Sequence, residues 1–332
     1  MAPVDILVVS VDSTGGWKVS APELTSAFVR AGAQAELVET GPVPRVRTFA
    51  LTDLVQALAA RRAYTRAAAA GPPAAVVYCS VTAALLWPRP GAIWLDAVAA
   101  ENRPGRHGVW QRTVERRRLA RAPLLMKMSE SSLGPLADRH PEALVIHAPV
   151  EASSPDGNLP PAARDIDVVA YAGNPQKKQL QRMLDAWARA RREEEQLVVT
   201  GVEDARRIPG VRFAGRLPPA EHRALLRRSR VFLAAPRRED YGITQLEALA
   251  DGCVLVSAPA PGAYPALKLA RQLDPRLVAR DLAAALRTAL DDPAPGYAER
   301  ARELLAPFSR RAMDLTIAQH VLPVLLSPSG RA

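Results

Sequence analysis

The 332-residue sequence predicts an α/β protein made of two doubly wound parallel-sheet domains. Three observations carry that expectation. Short apolar runs alternate with amphipathic segments along the whole length. One aperiodic stretch divides the chain near its middle, and each half restarts with a strand, a glycine-bearing turn and a helix. The runs of the first half are residues 6–9, 75–79, 93–95, 124–126 and 144–146; those of the second are 168–171, 197–200, 211–213, 231–234 and 254–257. Runs this short and apolar throughout suit strands covered on both faces. The segments 23–30, 180–191, 221–228 and 244–250 read as helices between them.

The divide falls at residues 151–165, rich in Pro, Gly, Ser and Asn, which predicts a linker. Residues 1–150 then form the first domain and 166–309 the second. An amphipathic helix over 310–332 is expected to pack back on one of the domains, with the first as the candidate. Open parallel sheets bind ligands beyond the carboxyl ends of their strands. The loops that matter are therefore 11–18, 96–105, 173–178, 202–207, 215–217 and 236–243.

Composition narrows the class. The chain is 48% hydrophobic and 23% charged, the balance of a globular protein, with 5% aromatic residues. Its cores must be built from Ala, Val, Leu and Ile. No apolar stretch approaches the ~18 uncharged residues of a membrane span. The first residues lack a basic leader, and two cysteines, Cys79 and Cys253, make no disulfide framework, so a reduced cytoplasmic protein is expected. Net charge is +10, from 39 Arg and 5 Lys against 34 acidic residues. The surplus divides equally between the halves, with no basic tail, which disfavours a nucleic-acid partner. The densest basic region holds Arg103, Arg106, Arg112, Arg116, Arg117, Arg118, Arg121 and Lys127. It reads either as a solvated helix face or as a helix in peripheral contact with an anionic membrane.

The segment 236–257 carries the most chemistry. A strand ends, a polar loop holds Glu239, and Gly242 opens a helix containing Glu247, eight residues on. Amides near Gly242, Ile243 and Thr244 would be free donors at the positive end of the helix, suited to a phosphate. Carboxylates beside them suit the hydroxyls of a ribose or a sugar. Alternatively, Glu239 is a helix-capping acid and Glu247 a solvated side chain.

Read in order, Pro236, Glu239, Tyr241-Gly242-Ile243, Glu247-Ala248-Leu249-Ala250, Gly252 and Val254-Leu255-Val256 resemble the E-x7-E region of the retaining glycosyl transferases group 1, a glycosyltransferase family 4-like group of GT-B fold. The resemblance implies two Rossmann-like domains facing across a cleft and a nucleotide-diphosphate sugar as donor. The stretch from Tyr171 to Ala186 resembles the start of the family's second domain and aligns Lys178 with its diphosphate-binding lysine, with Lys177 an equal competitor by chemistry. Asn174 stands where the family has arginine, and Arg237 or Arg238 is a candidate to compensate. Gly15-Gly16 matches the glycine pair of the first domain. The step from Val211 through Gly215-Arg216 to Leu217 matches a segment whose backbone holds the base. Asp96 stands near the place where many members have a histidine, with Glu101 and Asn102 beyond it.

The resemblance thus implies that Glu239 and Asp96 serve catalysis, Asp96 on the acceptor side. Gly15, Gly16, Asn174, Lys178, Arg216, Tyr241, Gly242, Ile243, Thr244 and Glu247 would bind the donor. Because Glu239 touches only the sugar in this scheme, its substitution is expected to leave free diphosphate affinity unchanged. The acceptor is unidentified: a glycolipid, a polysaccharide or a small metabolite. No cofactor and no obligatory metal is expected, and Asp165-Ile-Asp167 lies at the wrong end of its strand for one. The alternatives are a same-fold enzyme acting on nucleic acid and a non-catalytic sugar-nucleotide-binding relative, the latter suggested by Asn174 and Asp96. The five histidines follow no ligand spacing and are expected to be structural.

Overall fold

All ten apolar runs form strands, and an eleventh joins them. In chain order these are β1 (Ile6–Ser10), β2 (Ala35–Glu39), β3 (Ala75–Cys79), β4 (Ala92–Leu95), β5 (Leu125–Lys127), β6 (Leu144–Val145), β7 (Ile166–Tyr171), β8 (Leu197–Thr200), β9 (Val211–Phe213), β10 (Ser229–Ala234) and β11 (Val254–Ser257). The computed structural model describes residues 4–11, 15–44, 46, 48–154 and 159–327. Parts of the expected loop 11–18, of the linker 151–165 and of the final helix 310–332 lie outside the described residues.

The chain divides into two units: residues up to Pro149 together with the segment from Phe308 onward, and Val150–Pro307. The first has a six-stranded parallel sheet in the order β2-β1-β3-β4-β5-β6. Its centre is apolar but for Ser10, with every residue of β1, β3 and β4 buried. β2 lies at the edge with no residue fully buried and both glutamates exposed, so its residues Ala-Glu-Leu-Val-Glu make no continuous apolar run. With few aromatics available, single large rings carry much of the packing. Trp94 of β4 donates its Nε1–H to the Ile146 carbonyl (2.9 Å) and takes the edge of Trp17 at 5.6 Å. Trp17 thereby pins the start of the helix Gly15–Arg30.

The closing segment is tied to that helix by charge. Arg30 bonds Asp314 and Glu23, each at 2.8 Å, and Arg310 reaches Glu23 at 2.7 Å. His147 stacks on Phe308 with ring centres 4.0 Å apart, in the structural role expected of it.

The second unit has a five-stranded parallel sheet in the order β11-β10-β7-β8-β9. The described part of the expected linker is anchored to it. Ser153 donates from both its backbone N–H and its hydroxyl to the buried Asp251 (2.8 Å each), and Arg223 donates to the Glu151 carbonyl. The buried Arg164 reaches the carbonyls of Ser229 and Asp251 at 2.6 and 2.9 Å. Asp165 and Asp167 are each paired with an arginine, Arg228 and Arg230.

Much of the basic region points inward. Arg103 grips the buried Asp53 through Nε and Nη2 (2.8 and 3.0 Å), and Arg112 donates to the Gly105 carbonyl. Arg118 donates to the Leu85 carbonyl at 3.0 Å and lies over the Trp87 ring. Only Arg106, Arg116, Arg117 and Arg121 of this region are exposed.

Beneath it, Glu115 on the helix Val109–Leu119 is 1% exposed and accepts from the Ala99 amide at 2.7 Å. It thereby caps the short helix Ala99–Asn102 that follows Asp96. Burial, only partly offset by the Ala99 and Ala100 amides and by Arg103 and Arg116, pushes the carboxyl up to about 7. Its Oε1 and the Gln111 Oε1 one helical turn back are both buried without a partner, an arrangement suited to the protonated acid. The folded state therefore binds this proton more tightly than the unfolded chain. The stability it contributes is complete below the ordinary 4.5 and is lost as pH rises through about 7. Glu115→Gln should remove that loss, of order 3 kcal/mol, so that the variant melts above the wild type at pH 8 and with it at pH 5. Thermal unfolding across this range is the measurement; parallel pH profiles would exclude the assignment.

Candidate functional site

In the second unit the chain builds β7, β8 and β9 outward on one side, then returns to the other side of β7 with β10. Strand order therefore reverses between β7 and β10, and the loops leaving their carboxyl ends diverge around a crevice. Those two loops carry Lys178 and Glu239.

The β7 loop is shaped by Asn174. Its Oδ1 accepts from the Lys177 amide and its carbonyl from the Lys178 amide, both at 2.9 Å. Asn174 therefore acts as a turn former, and no cation replaces the family arginine at that position. The Lys177 carbonyl accepts from the Arg237 amide at 2.9 Å, which couples the two loops. Arg238 bonds Asp240 at 2.6 Å, and Arg237 is exposed.

The β10 loop is held from behind. The Glu239 amide donates to the Pro261 carbonyl at 3.0 Å. Gly262 (φ +111°) passes so close that an added Cβ would lie 2.1 Å from the Glu239 carbonyl oxygen. Gly242 precedes the helix Ile243–Ala250 at φ +82°, ψ +48°, a left-handed conformation natural to glycine. A Cβ there would meet the Tyr264 ring at 2.8 Å. Tyr264 is buried, its hydroxyl 3.1 Å from Ser257 Oγ, so it cannot yield easily. The amides of Ile243 and Thr244 belong to the helix's first turn, where N–H groups lack intrahelical acceptors. Tyr241 is buried at the loop's base.

Within this frame Lys178 Nζ and Glu239 Oε2 form a direct ion pair, with side chains 18% and 16% exposed. Gln245 donates to the same carboxylate oxygen at 3.3 Å and accepts from the Thr244 hydroxyl at 2.9 Å. The Tyr171 ring lies 5.9 Å from the ammonium. Glu247, one turn further along the helix, faces Arg223 at 3.7 Å, while Arg223 bonds Asp251 at 2.6 Å. Burial raises the Glu247 carboxyl above its ordinary value, opposed by Arg223 and reinforced by Asp251. Both glutamates are thus partly buried and engaged, unlike solvated helix residues.

The remaining candidate of the second unit, Arg216, lies apart from this cluster. Arg216 is exposed beyond β9, two strands from β7. In the first unit Gly15 and Gly16 open the helix Gly15–Arg30, and Asp96 is half-buried just past β4. Two further residues have unusual settings, Ser80 at the end of β3 and His222 in the helix Pro219–Arg228, one of the five histidines expected to be structural. Ser80 follows β3 at φ +95° while capping the next helix through Ala83 N–H (3.2 Å). His222 lies edge-on to Tyr171, its Nδ1 3.5 Å from Thr200 Oγ1, its Nε2 buried without a partner and its pKa lowered by burial. No spacing in the sequence announces either. Among the described residues, no cluster of three His, Cys, Asp or Glu side chains could hold a metal, and no helix is long and apolar enough to cross a membrane.

Residues 166–292, within the second unit, match the family described as glycosyl transferases group 1. The resemblance borne by Glu239, Glu247 and their neighbours lies in this stretch. Sucrose-phosphate synthase from Thermosynechococcus elongatus superposes with a TM-score of 0.71 at 16% identity, covering 96% of this chain and 98% of that one. WaaG, a glycosyltransferase involved in lipopolysaccharide biosynthesis, gives 0.64 at 15% identity, over 96% and 99%. HepE from Anabaena, solved in complex with UDP and glucose, gives 0.65 at 14% identity, over 95% and 98%. These likenesses establish the fold as that of GT-B glycosyltransferases, the class expected. No curated protein matches the chain in sequence.

Gly242→Ala should combine an unfavourable φ with a collision against Tyr264, destabilising the second unit by about 1–3 kcal/mol. Thermal and urea unfolding check this; a neutral substitution would mean that the turn before the helix is not built as described.

Proposed function

We propose that the chain is a retaining glycosyltransferase that takes its sugar from a nucleotide-diphosphate donor. The observation that carries this reading is the meeting of Lys178 and Glu239 where strand order reverses, beside the first turn of the helix that bears Glu247. Transfer breaks the bond between the sugar's anomeric carbon and the diphosphate, leaving negative charge on the departing oxygen. Lys178 and the amides of Ile243 and Thr244 answer that charge. Glu239 accepts from the sugar's hydroxyls and Glu247 from those of the ribose. Arg237, exposed on the loop that bonds Lys177, is the candidate for the second cation that Asn174 does not supply. With these donors the diphosphate needs no obligatory metal ion. Asp96 and the segment to Asn102 are the candidates for acceptor contact, and the acceptor's class is open. UDP-sugars head the panel to be tried, because HepE has been solved with UDP-glucose.

A thermal-shift screen against UDP-, GDP-, ADP- and TDP-sugars tests the reading directly, since a ligand at 100 times its dissociation constant stabilises by about 2.7 kcal/mol. Glu247→Ala should weaken donor and free diphosphate alike by about ten- to a hundredfold, the value of a hydrogen bond to a charged group. Ribose hydroxyls favour the ionised carboxylate, and the Glu247 pKa is raised in the free protein. Affinity should therefore fall as pH drops through that raised value, and Glu247→Gln should flatten the dependence. Calorimetry with the diphosphate at several pH values reads both effects; a flat wild-type profile with full affinity in the alanine variant would remove Glu247 from the site.

Peripheral attachment to an anionic membrane would rest on the exposed Arg106, Arg116, Arg117 and Arg121. Anionic liposomes at low salt should then float the wild type and release a variant with Ser at 116, 117 and 121. Equal flotation of the two proteins, or none, counts against it.

A further inference from the structure

The Lys178–Glu239 pair presents a difficulty for the donor site as just described. The cation assigned to the diphosphate is already bound, and its partner is the carboxylate assigned to the sugar. We propose that Glu239 determines the preference for an intact sugar nucleotide over the diphosphate left after transfer, by competing with that diphosphate for Lys178. This inference rests on the glycosyltransferase reading.

The local construction makes the competition direct. The Glu239 backbone is fixed by its bond to Pro261 and by Gly262 behind it, and the Lys178 loop by Asn174 and by the Arg237–Lys177 bond. Exchange of partners therefore proceeds by side-chain rotation. Both side chains are more than four-fifths buried, so neither charge can be left unanswered cheaply. A diphosphate that captures Lys178 leaves Glu239 with Gln245 alone, at 3.3 Å. An intact donor brings sugar hydroxyls that donate to the released carboxylate; a bare diphosphate brings none. Donor binding thus replaces one satisfied pair with two satisfied charges, whereas product binding strands one charge. Once the sugar has gone, closure of the ion pair displaces the diphosphate.

The expectation that Glu239 is indifferent to free diphosphate changes accordingly. Glu239→Gln keeps the shape and the hydroxyl-accepting oxygen but cannot hold Lys178 by charge. It should tighten binding of the free nucleoside diphosphate by about tenfold, the size expected for one largely buried charge pair. Affinity for the sugar nucleotide should not rise with it, and inhibition by the diphosphate should strengthen. A merely structural role predicts the reverse, because damage to the site weakens binding.

The test is calorimetric titration of UDP, GDP, ADP and TDP, and of the corresponding sugar nucleotides, into the full chain. The proteins are the wild type, Glu239→Gln, Glu239→Ser as a second neutral variant, and Lys178→Ala alone and combined with Glu239→Gln. A gain in diphosphate affinity in both neutral variants, absent when Lys178 is also removed, supports the proposal. Equal or weaker diphosphate binding in the neutral variants, with measurable binding by the wild type, overturns it and leaves the functional reading standing. Absence of binding of any diphosphate or sugar nucleotide to the wild type at millimolar concentration overturns the functional reading, and this inference with it.

Discussion

The reversal of strand order between β7 and β10 is the constraint on which the second unit's chemistry depends. Parallel strands on either side of a reversal send their following segments to opposite faces, so the two exit loops diverge and leave a gap that side chains from both can enter. Lys178 and Glu239, 61 residues apart in the chain, meet for this reason. The surrounding details serve that meeting. Asn174 curls one loop, Gly262 backs the other, and Gly242 lets the backbone turn sharply into a helix whose first amides face the same region. An ion pair in such a place is held by topology as much as by Coulomb attraction.

The same economy appears in how the protein uses arginine. A chain with 39 Arg and 5 Lys looks, in composition, like a binder of polyanions. In the fold many guanidinium groups close local accounts instead: Arg164 satisfies two carbonyls, Arg103 a buried carboxylate, Arg118 a carbonyl and an indole face. A planar group with five donors can serve several acceptors at once, which an ammonium cannot do with the same geometry. In cores made mostly of small aliphatic side chains, these long cations also bring hydrocarbon into the gaps.

Much of the sheet architecture is legible in the sequence, because strands buried on both faces must be apolar at every position. β2 escapes that logic: an edge strand with one wet side has no reason to be uniformly apolar. The cluster around Glu239 and Glu247 is legible through its order of residue types, since turn glycine, helix start and two carboxylates are local features. What cannot be read is whichever partner comes from afar. Nothing near Asn174 in the sequence shows its side chain occupied by a turn amide, and nothing near Arg103 shows Asp53 waiting 50 residues earlier. Glu115 reads as the lone acid relieving a basic stretch, yet it is buried beneath a helix end. Long-range pairing decides these roles, and periodicity carries no trace of it.

Asp251 has a consequence for the modularity of the molecule. It is fully buried and joins Ser153, ahead of β7, to Arg223, which in turn faces Glu247. The second unit therefore does not begin where its first strand begins. A transplant cut at Ile166 would discard Ser153 and Arg164, leaving the buried Asp251 carboxylate and the carbonyls of Ser229 and Asp251 short of donors. A cut before Val150 keeps them. For grafting this unit onto another chain, the natural seam lies some sixteen residues upstream of the sheet, in a stretch that composition alone would mark as expendable.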